Sequence, residues 1–304
     1  MPRHTKRFHR ESDFFESLTS AELSPTTKRI YMERWRFMVE TLKTDVFSIL
    51  THPKKYIPWI MEYSSELATR KSYLSAVLAM FRHNEGLKEQ EKTHYLAWYD
   101  AFRQIHEEID ARYKRNQPSA KQVDGYVPFA DIVAKRDELD KGTPERLLLA
   151  FYTYIPPLRS DLNRIRIYDK QAPSHADDNY IQLDTPARKA TLTLREFKTA
   201  ARMEKYEKEL PRELVDEIVA SLDRDPRSYL FEDRNRQPYR SSSFTKWANR
   251  TLHRLFGKGL TISLIRHSYI NSLDFNTLTV EEKEKIAKDM AHTVGTQDRY
   301  RLIF

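Results

Sequence analysis

The closing stretch of the chain, AHTVGTQDRYRLIF, sets Tyr300 between Arg299 and Arg301 and a short distance after His292. A phenol ordinarily gives up its proton only near pH 10, so a tyrosine nucleophile needs cations beside it. The second half of the sequence places cations at the ends of elements. Arg159 follows the double proline of PPLRSDLNRI, Lys198 follows the alternating run ATLTLREF, and Arg266-His267 lies inside the apolar stretch SLIRHSYI. Two guanidiniums can grip the non-bridging oxygens of a phosphodiester and stabilise the charge that develops there. A lysine on a hairpin loop can return a proton to the leaving oxygen. With a tyrosine as nucleophile, the reaction is transesterification of DNA.

Each of these residues also has a plain structural reading. Arg266 sits among Leu264, Ile265, Tyr269 and Ile270, and arginine is almost never buried without a partner. It either makes an internal bridge, for instance to Asp161, or aims its guanidinium at an anion. Lys198 suits a solvated hairpin beside Lys189, Arg195 and Arg202. His292 suits a helix C-terminus, and Tyr300 a frayed tail. The set in its order says more than any one member.

Elements must position these groups. Ser24-Pro25 opens a helix whose stripe is Tyr31, Trp35, Met38 and Leu42. Tyr73, Leu74, Val77, Leu78 and Phe81 mark another, and Trp98, Phe102, Ile105 and Ile109 a third. These aromatics are expected in a core rather than stacked on bases. The polar run KRNQPSAKQVDG reads as a linker. Beyond it Thr143-Pro144 starts a helix that IPPLR must end. RIRIY, NYIQL and ATLTLREF read as strands. Pro211, the serine cluster Ser241–Ser243 and the stretch SLIRHSYINSL mark further helices. Thr279 and Glu282 have capping-box spacing for a last one.

Composition narrows the function. The chain has 304 residues, a net charge of +8, six glycines and no cysteine. The absence of cysteine removes disulfides, thiolate nucleophiles and Cys-based zinc sites, and no Gly-rich phosphate loop is present. The basic balance favours a polyanionic partner. The basic start MPRHTKRFHR is not followed by an apolar segment, so it does not read as a secretory signal; a solvated tail is expected. No apolar run reaches the ~18 residues of a membrane helix.

The stretches PPLRSDLNRI, LREFKTA, SLIRHSYI and AHTVGTQDRY, in that order, resemble the tyrosine recombinase (phage integrase) family. LSPTTKRIYMERWRFMV and TRKSYLSAVLAMFRH resemble that family's helical core-binding domain. The double proline and the lysine–threonine pair look most like integrases of large DNA viruses and related mobile elements. The resemblance implies Arg159 and Arg266 as the two phosphate-gripping arginines and Lys198 as general acid. It implies His292 as a residue that hydrogen-bonds to the phosphate, His267 as a support of the site, and Tyr300 as the nucleophile that forms a 3′-phosphotyrosine. It requires neither metal nor cofactor.

Four features depart from the family pattern. Ser263 stands where His or Lys is usual, three residues before the second arginine. Asp161 follows Arg159 by two, with Leu162 in the place an acidic residue usually holds. The His292-to-Tyr300 interval is one residue shorter than usual. After Tyr300 only RLIF remains, so Leu302, Ile303 and Phe304 are what is left to fill a neighbouring subunit's pocket.

The resulting expectation is a mainly α protein with a small antiparallel β-sheet in its catalytic domain. Its divisions are a basic tail (1–11), a helical DNA-binding domain (12–114), a linker (115–125) and a catalytic domain (126–304), together a C-shaped clamp on double-stranded DNA. The expected function is site-specific recombination by a tetramer on DNA, inside a cell and away from membranes. A type IB topoisomerase or hairpin telomere resolvase shares the chemistry, and a non-catalytic DNA-binding protein is the alternative of another class.

Overall fold

The computed structural model describes residues 11–170, 178–197 and 205–303. The chain forms two compact units, Met1–Lys114 and Arg115–Phe304. Lys198 lies outside the described residues, as do most of the basic N-terminal tail and Phe304.

The first unit is helical: α1 (Glu11–Ser20), α2 (Pro25–Leu42), α3 (Val46–Thr51), α4 (Pro53–Tyr63), α5 (Leu67–His83), α6 (Leu87–Gln90) and α7 (Lys92–Lys114). Ser24 caps α2 by accepting the N–H of Thr27. The centre is α5, where every residue from Ala76 to Phe81 is buried, as a helix surrounded by others must be. Trp35 and Trp98 bury their rings, and their indole N–H groups donate to the carbonyls of Ala76 and Leu50 at 3.0 Å. A buried indole needs such a partner. The expected aromatic stripes are therefore core.

The second unit opens with α8 (Ala120–Gly125), α9 (Phe129–Glu138) and α10 (Pro144–Thr153), the last capped by Thr143. The segment expected as an irregular linker thus ends in a helix. Ser119 and Gln122 form a reciprocal capping box that starts it. Gly125 packs so close that a Cβ would stand 2.5 Å from the Gly259 carbonyl oxygen. That glycine marks a close approach of backbones, not a flexible joint.

After α10 the prolines break the helix and a 3₁₀ turn (Ser160–Arg164) leads into the sheet: β1 (Arg166–Asp169), β2 (Tyr180–Asp184), β3 (Lys189–Leu194) and β4 (Tyr206–Glu209). The strand order is sequential, but the sheet is mixed, which corrects the antiparallel expectation. β2 does not double back on β1: Arg166 faces Tyr180 and Asp169 faces Leu183, in parallel. Strand runs spaced this closely ordinarily fold as hairpins, and only β2–β3 and β3–β4 do so. The other edge of β1 is occupied instead: Leu230 N–H donates to the Ile165 carbonyl, and Ile167 N–H to that of Ser228, both at 2.8 Å.

The chain continues through α11 (Arg212–Arg224), α12 (Ser241–Phe256), α13 (Ile262–Ser272), α14 (Val280–Asp289) and the short α15 (Val294–Gln297), then a 3₁₀ turn (Asp298–Tyr300). Thr279 and Glu282 make the expected capping box of α14. One core joins Leu147, Phe151, Ile181, Leu192, Leu214, Phe244 and Ile265. Arg146 on α10 and Glu217 on α11 make a buried pair at 2.8 Å. It fixes the helix that delivers Arg159. Among the described residues no helix is long and apolar enough to cross a membrane.

Candidate active site

Arg266 lies on the second turn of α13, a helix started by the Thr261 hydroxyl, which accepts the N–H of Leu264. It is 1% exposed. Its guanidinium donates to the carbonyls of Pro157 and Met290 and, at 2.7 Å, to Nδ1 of His292. Among the described residues these hydrogen bonds go to carbonyls and an imidazole, and none of them reaches Asp161. Burial lowers its pKa, yet an arginine starting from 12.5 keeps its charge.

The end of α14 is built to meet these arginines. Ala291 has φ 52°, the left-handed residue that closes the helix, and His292 N–H reaches back to the Ala287 carbonyl at 3.0 Å. This is a Schellman turn, where glycine is the usual occupant. The reversal presents two successive carbonyls to two guanidiniums: Met290 to Arg266, and Ala291 to Nη1 of Arg159 at 2.8 Å. The negative end of the helix dipole adds to that attraction. His292 follows the cap directly, so its helix-end reading and its place beside Arg266 are both realised.

A guanidinium only donates, so Nδ1 of His292 must accept and the ring proton sits on Nε2. Burial, with the charges of Arg266 and Arg159, pushes this imidazole down to about 3. It is neutral at ordinary pH. Its buried Nε2 and the Nε of Arg266 find no hydrogen-bond partner among the described residues.

Tyr300 is brought into the same group. Its ring stacks on His292 (5.4 Å between centroids, 17° between planes) and tilts against His267 at 4.8 Å. The Arg266 guanidinium carbon lies 4.7 Å from the ring centroid. Nδ1 of His267 donates to the Tyr300 backbone carbonyl at 2.7 Å. His267 is therefore the opposite tautomer, and Gln122 Nε2 donates to its Nε2 at 3.3 Å. Burial lowers the His267 pKa, and the Arg266 charge adds to that.

Arg159, Ser263, Arg266 and Tyr300 line one cleft of about 390 Å³, with Ser160, Thr245, Asn249, Thr261 and Ile262. Ser263 is exposed at its rim, one turn before Arg266. Asp161 falls elsewhere: it lines a neighbouring groove with Arg164, Glu196 and Arg240. Leu162 is 1% exposed in the core, which explains why no acidic side chain occupies that place. Lys198 lies outside the described residues. The segment leading to it is fixed by Asn179, whose Oδ1 accepts the N–H groups of Arg195 and Glu196 and whose Nδ2 donates to the Glu196 carbonyl.

Sequence reasoning passed over Asn249 and Thr245, which reach the cleft from α12, and Gln122, which stands behind His267. Only Gln122 carried a usable signal, its capping-box spacing from Ser119. Among the described residues, no group of three or more His, Asp or Glu lies within metal-binding reach.

No protein-family model matches the chain, and no curated protein matches it either. Several solved structures match; among them, "Crystal structure of XerA recombinase" aligns with a TM-score of 0.42 at 14% identity, over 97% of this chain and 93% of that one. A likeness this faint assigns neither an activity nor a residue role, and the case for both stands on the site itself.

Proposed function

We propose that the chain is a DNA strand transferase of the tyrosine recombinase kind. The observation that carries this reading is the single cleft in which two arginines and Tyr300 meet, with His292 locked to one of those arginines. The Tyr300 oxygen attacks phosphorus, and the bond from phosphorus to the 5′ oxygen breaks. The DNA 3′ end is left on the tyrosine, and the 5′ oxygen leaves as a hydroxyl. Attack of a 5′ hydroxyl on the phosphotyrosine reverses the step, so the energy of the broken bond is kept and no nucleotide is consumed.

The residues take roles that fit their chemistry. Arg159 and Arg266 hold the non-bridging oxygens. The unpaired N–H groups of Arg266 and His292 each forgo about 1–3 kcal/mol while unsatisfied, which an anion's oxygens would recover. His292 is neutral and acts as a donor, not as a second charge. Lys198 supplies the proton to the leaving oxygen, and both units contribute phosphate contacts.

One observation favours a reaction completed within a single protomer, as in a type IB topoisomerase. Leu302, expected as a candidate for a neighbour's pocket, is 8% exposed against its own unit, and its backbone is hydrogen-bonded to Asn271 there. Incubation with a nicked duplex, whose short downstream strand diffuses away after cleavage, tests the shared chemistry. A denaturation-resistant protein–DNA adduct is expected, and its absence across randomised nick sequences opposes the reading. Supercoil relaxation with one site, set beside exchange between two sites, separates topoisomerase from recombinase.

A further inference from the structure

The segment that carries Tyr300 is held from outside the cleft. The Asn271 carboxamide takes both backbone groups of Leu302. Its Nδ2 donates to the Leu302 carbonyl, and its Oδ1 accepts the Leu302 N–H, each at 2.9 Å. Two residues earlier, His267 donates to the Tyr300 carbonyl at 2.7 Å. Behind His267 stands Gln122, whose other amide atom, Oε1, accepts the Ser119 N–H at 2.8 Å. One residue past Leu302, the N–H of Ile303 donates to the Asn116 carbonyl at 2.8 Å. Asn116 and Gln122 fall in the first residues of the second unit, just past Lys114 where the first unit ends.

A chain terminus ordinarily frays. Here the backbone is fixed at residues 300, 302 and 303 by two side chains of α13 and by the segment that enters the unit. Asn271, Gln122 and Asn116 are not among the residues lining the cleft, so none of them grips the anion. Gln122 is itself made rigid by the capping box, and α8 is seated by the close packing of Gly125 on Gly259.

We propose that Asn271 and Gln122 are positioning residues for Tyr300, through which the segment joining the two units sets where the tyrosine stands. This deepens the transesterification reading and rests on it. An attacking oxygen must stand in line with the bond it breaks. A misplacement of about 1 Å lowers such rates on the order of 100-fold. If the segment from Asn116 to Gln122 lifts, His267 loses its donor and Ile303 loses its acceptor. The tyrosine is then presented loosely, while the arginines still hold the phosphate.

The test uses the full chain with Asn271→Leu, Asn271→Asp and Gln122→Glu. The Leu variant removes both bonds to Leu302, the Asp variant keeps the acceptor, and the Glu variant keeps the capping box and loses the donor to His267. Three quantities are read: hydrogen exchange at the Leu302 and Ile303 amides, single-turnover cleavage of nicked duplexes randomised around the nick, and affinity for the same duplexes. In Asn271→Leu, the Leu302 amide exchanges faster and cleavage falls on the order of 10- to 100-fold, while affinity stays within about twofold. Asn271→Asp falls between that variant and the wild type, and Gln122→Glu slows cleavage with affinity kept. Cleavage at the wild-type rate despite a loosened tail overturns the proposal. So does a parallel fall in rate and affinity, which marks a merely structural role. Absence of an adduct from the wild type itself sinks the underlying reading, whatever the exchange data show.

Discussion

Arg266 and Arg159 differ in what they have free. Arg266 is surrounded, giving its protons to Pro157, Met290 and His292, while Arg159 is half-buried and commits Nη1 to the Ala291 carbonyl. Arg159→Lys keeps the charge and removes the planar fork. Cleavage should fall on the order of 100-fold or more, with DNA affinity little changed; near-normal cleavage would make Arg159 a point charge only. His292 gives a prediction about stability. Its folded pKa is about 3, against 6.5 for the free side chain. The unfolded chain therefore binds more protons as pH falls below 6.5, and stability drops from there towards 3. One such group contributes a slope of up to about 1.4 kcal/mol per pH unit. His267 is lowered too and adds in the same sense. Urea unfolding of His292→Gln should show a shallower loss between pH 6.5 and 5; an unchanged slope contradicts the buried, neutral imidazole. Arg159, Arg266, His292 and Tyr300 could be singled out in the sequence because their chemistry points to them, and the structure brings them together. Which way Arg266 is satisfied was not legible, since two of its three partners, Pro157 and Met290, are met through main-chain carbonyls that any sequence could supply.

The turn after α14 shows how an element's end can serve a site. Ala291 takes a left-handed conformation that disfavours any side chain, and the turn presents the carbonyls of Met290 and Ala291 to the two arginines. Ala291→Gly should therefore stabilise the protein, by about 1 kcal/mol, against the usual direction of an alanine-to-glycine change. Thermal unfolding of this variant checks it, and a lower midpoint would mean that the turn carries no such strain. Helix starts were readable from Ser24, Thr143 and Thr279 because a cap is a local hydrogen bond between near neighbours. The mixed sheet was not readable, because strand direction is decided by what occupies the far edge of β1, more than 60 residues along the chain at Ser228 and Leu230. β4 (Tyr206–Glu209) was missed because a short polar edge strand carries almost no alternation. Pro118 and Gly125 suggested a loop at the start of the second unit. The Ser119–Gln122 box and the tight packing of Gly125 make a helix there instead.

At the scale of the whole molecule, charge and chemistry point the same way. A net charge of +8 over 304 residues suits a partner that is a polyanion along its length. If both units contact phosphates, affinity for duplex DNA should fall steeply with salt, by roughly a thousandfold or more between 50 and 200 mM for six or more contacts. A flat salt dependence would leave the basic surface without that role. Among the described residues two cores are present, one around Trp35, Tyr73 and Trp98 and one around Phe151, Leu192 and Ile265. The central claim is that Tyr300 forms a covalent bond to DNA. Its most direct measurement is the covalent adduct on nicked duplex, digested and mapped, in the wild type and in Tyr300→Phe. The account predicts a phosphate on Tyr300 joined to a DNA 3′ end, and no adduct in the Phe variant, which still binds the duplex because both arginines remain. An adduct that persists in Tyr300→Phe, or one that maps to Tyr269 or Tyr239, would contradict it.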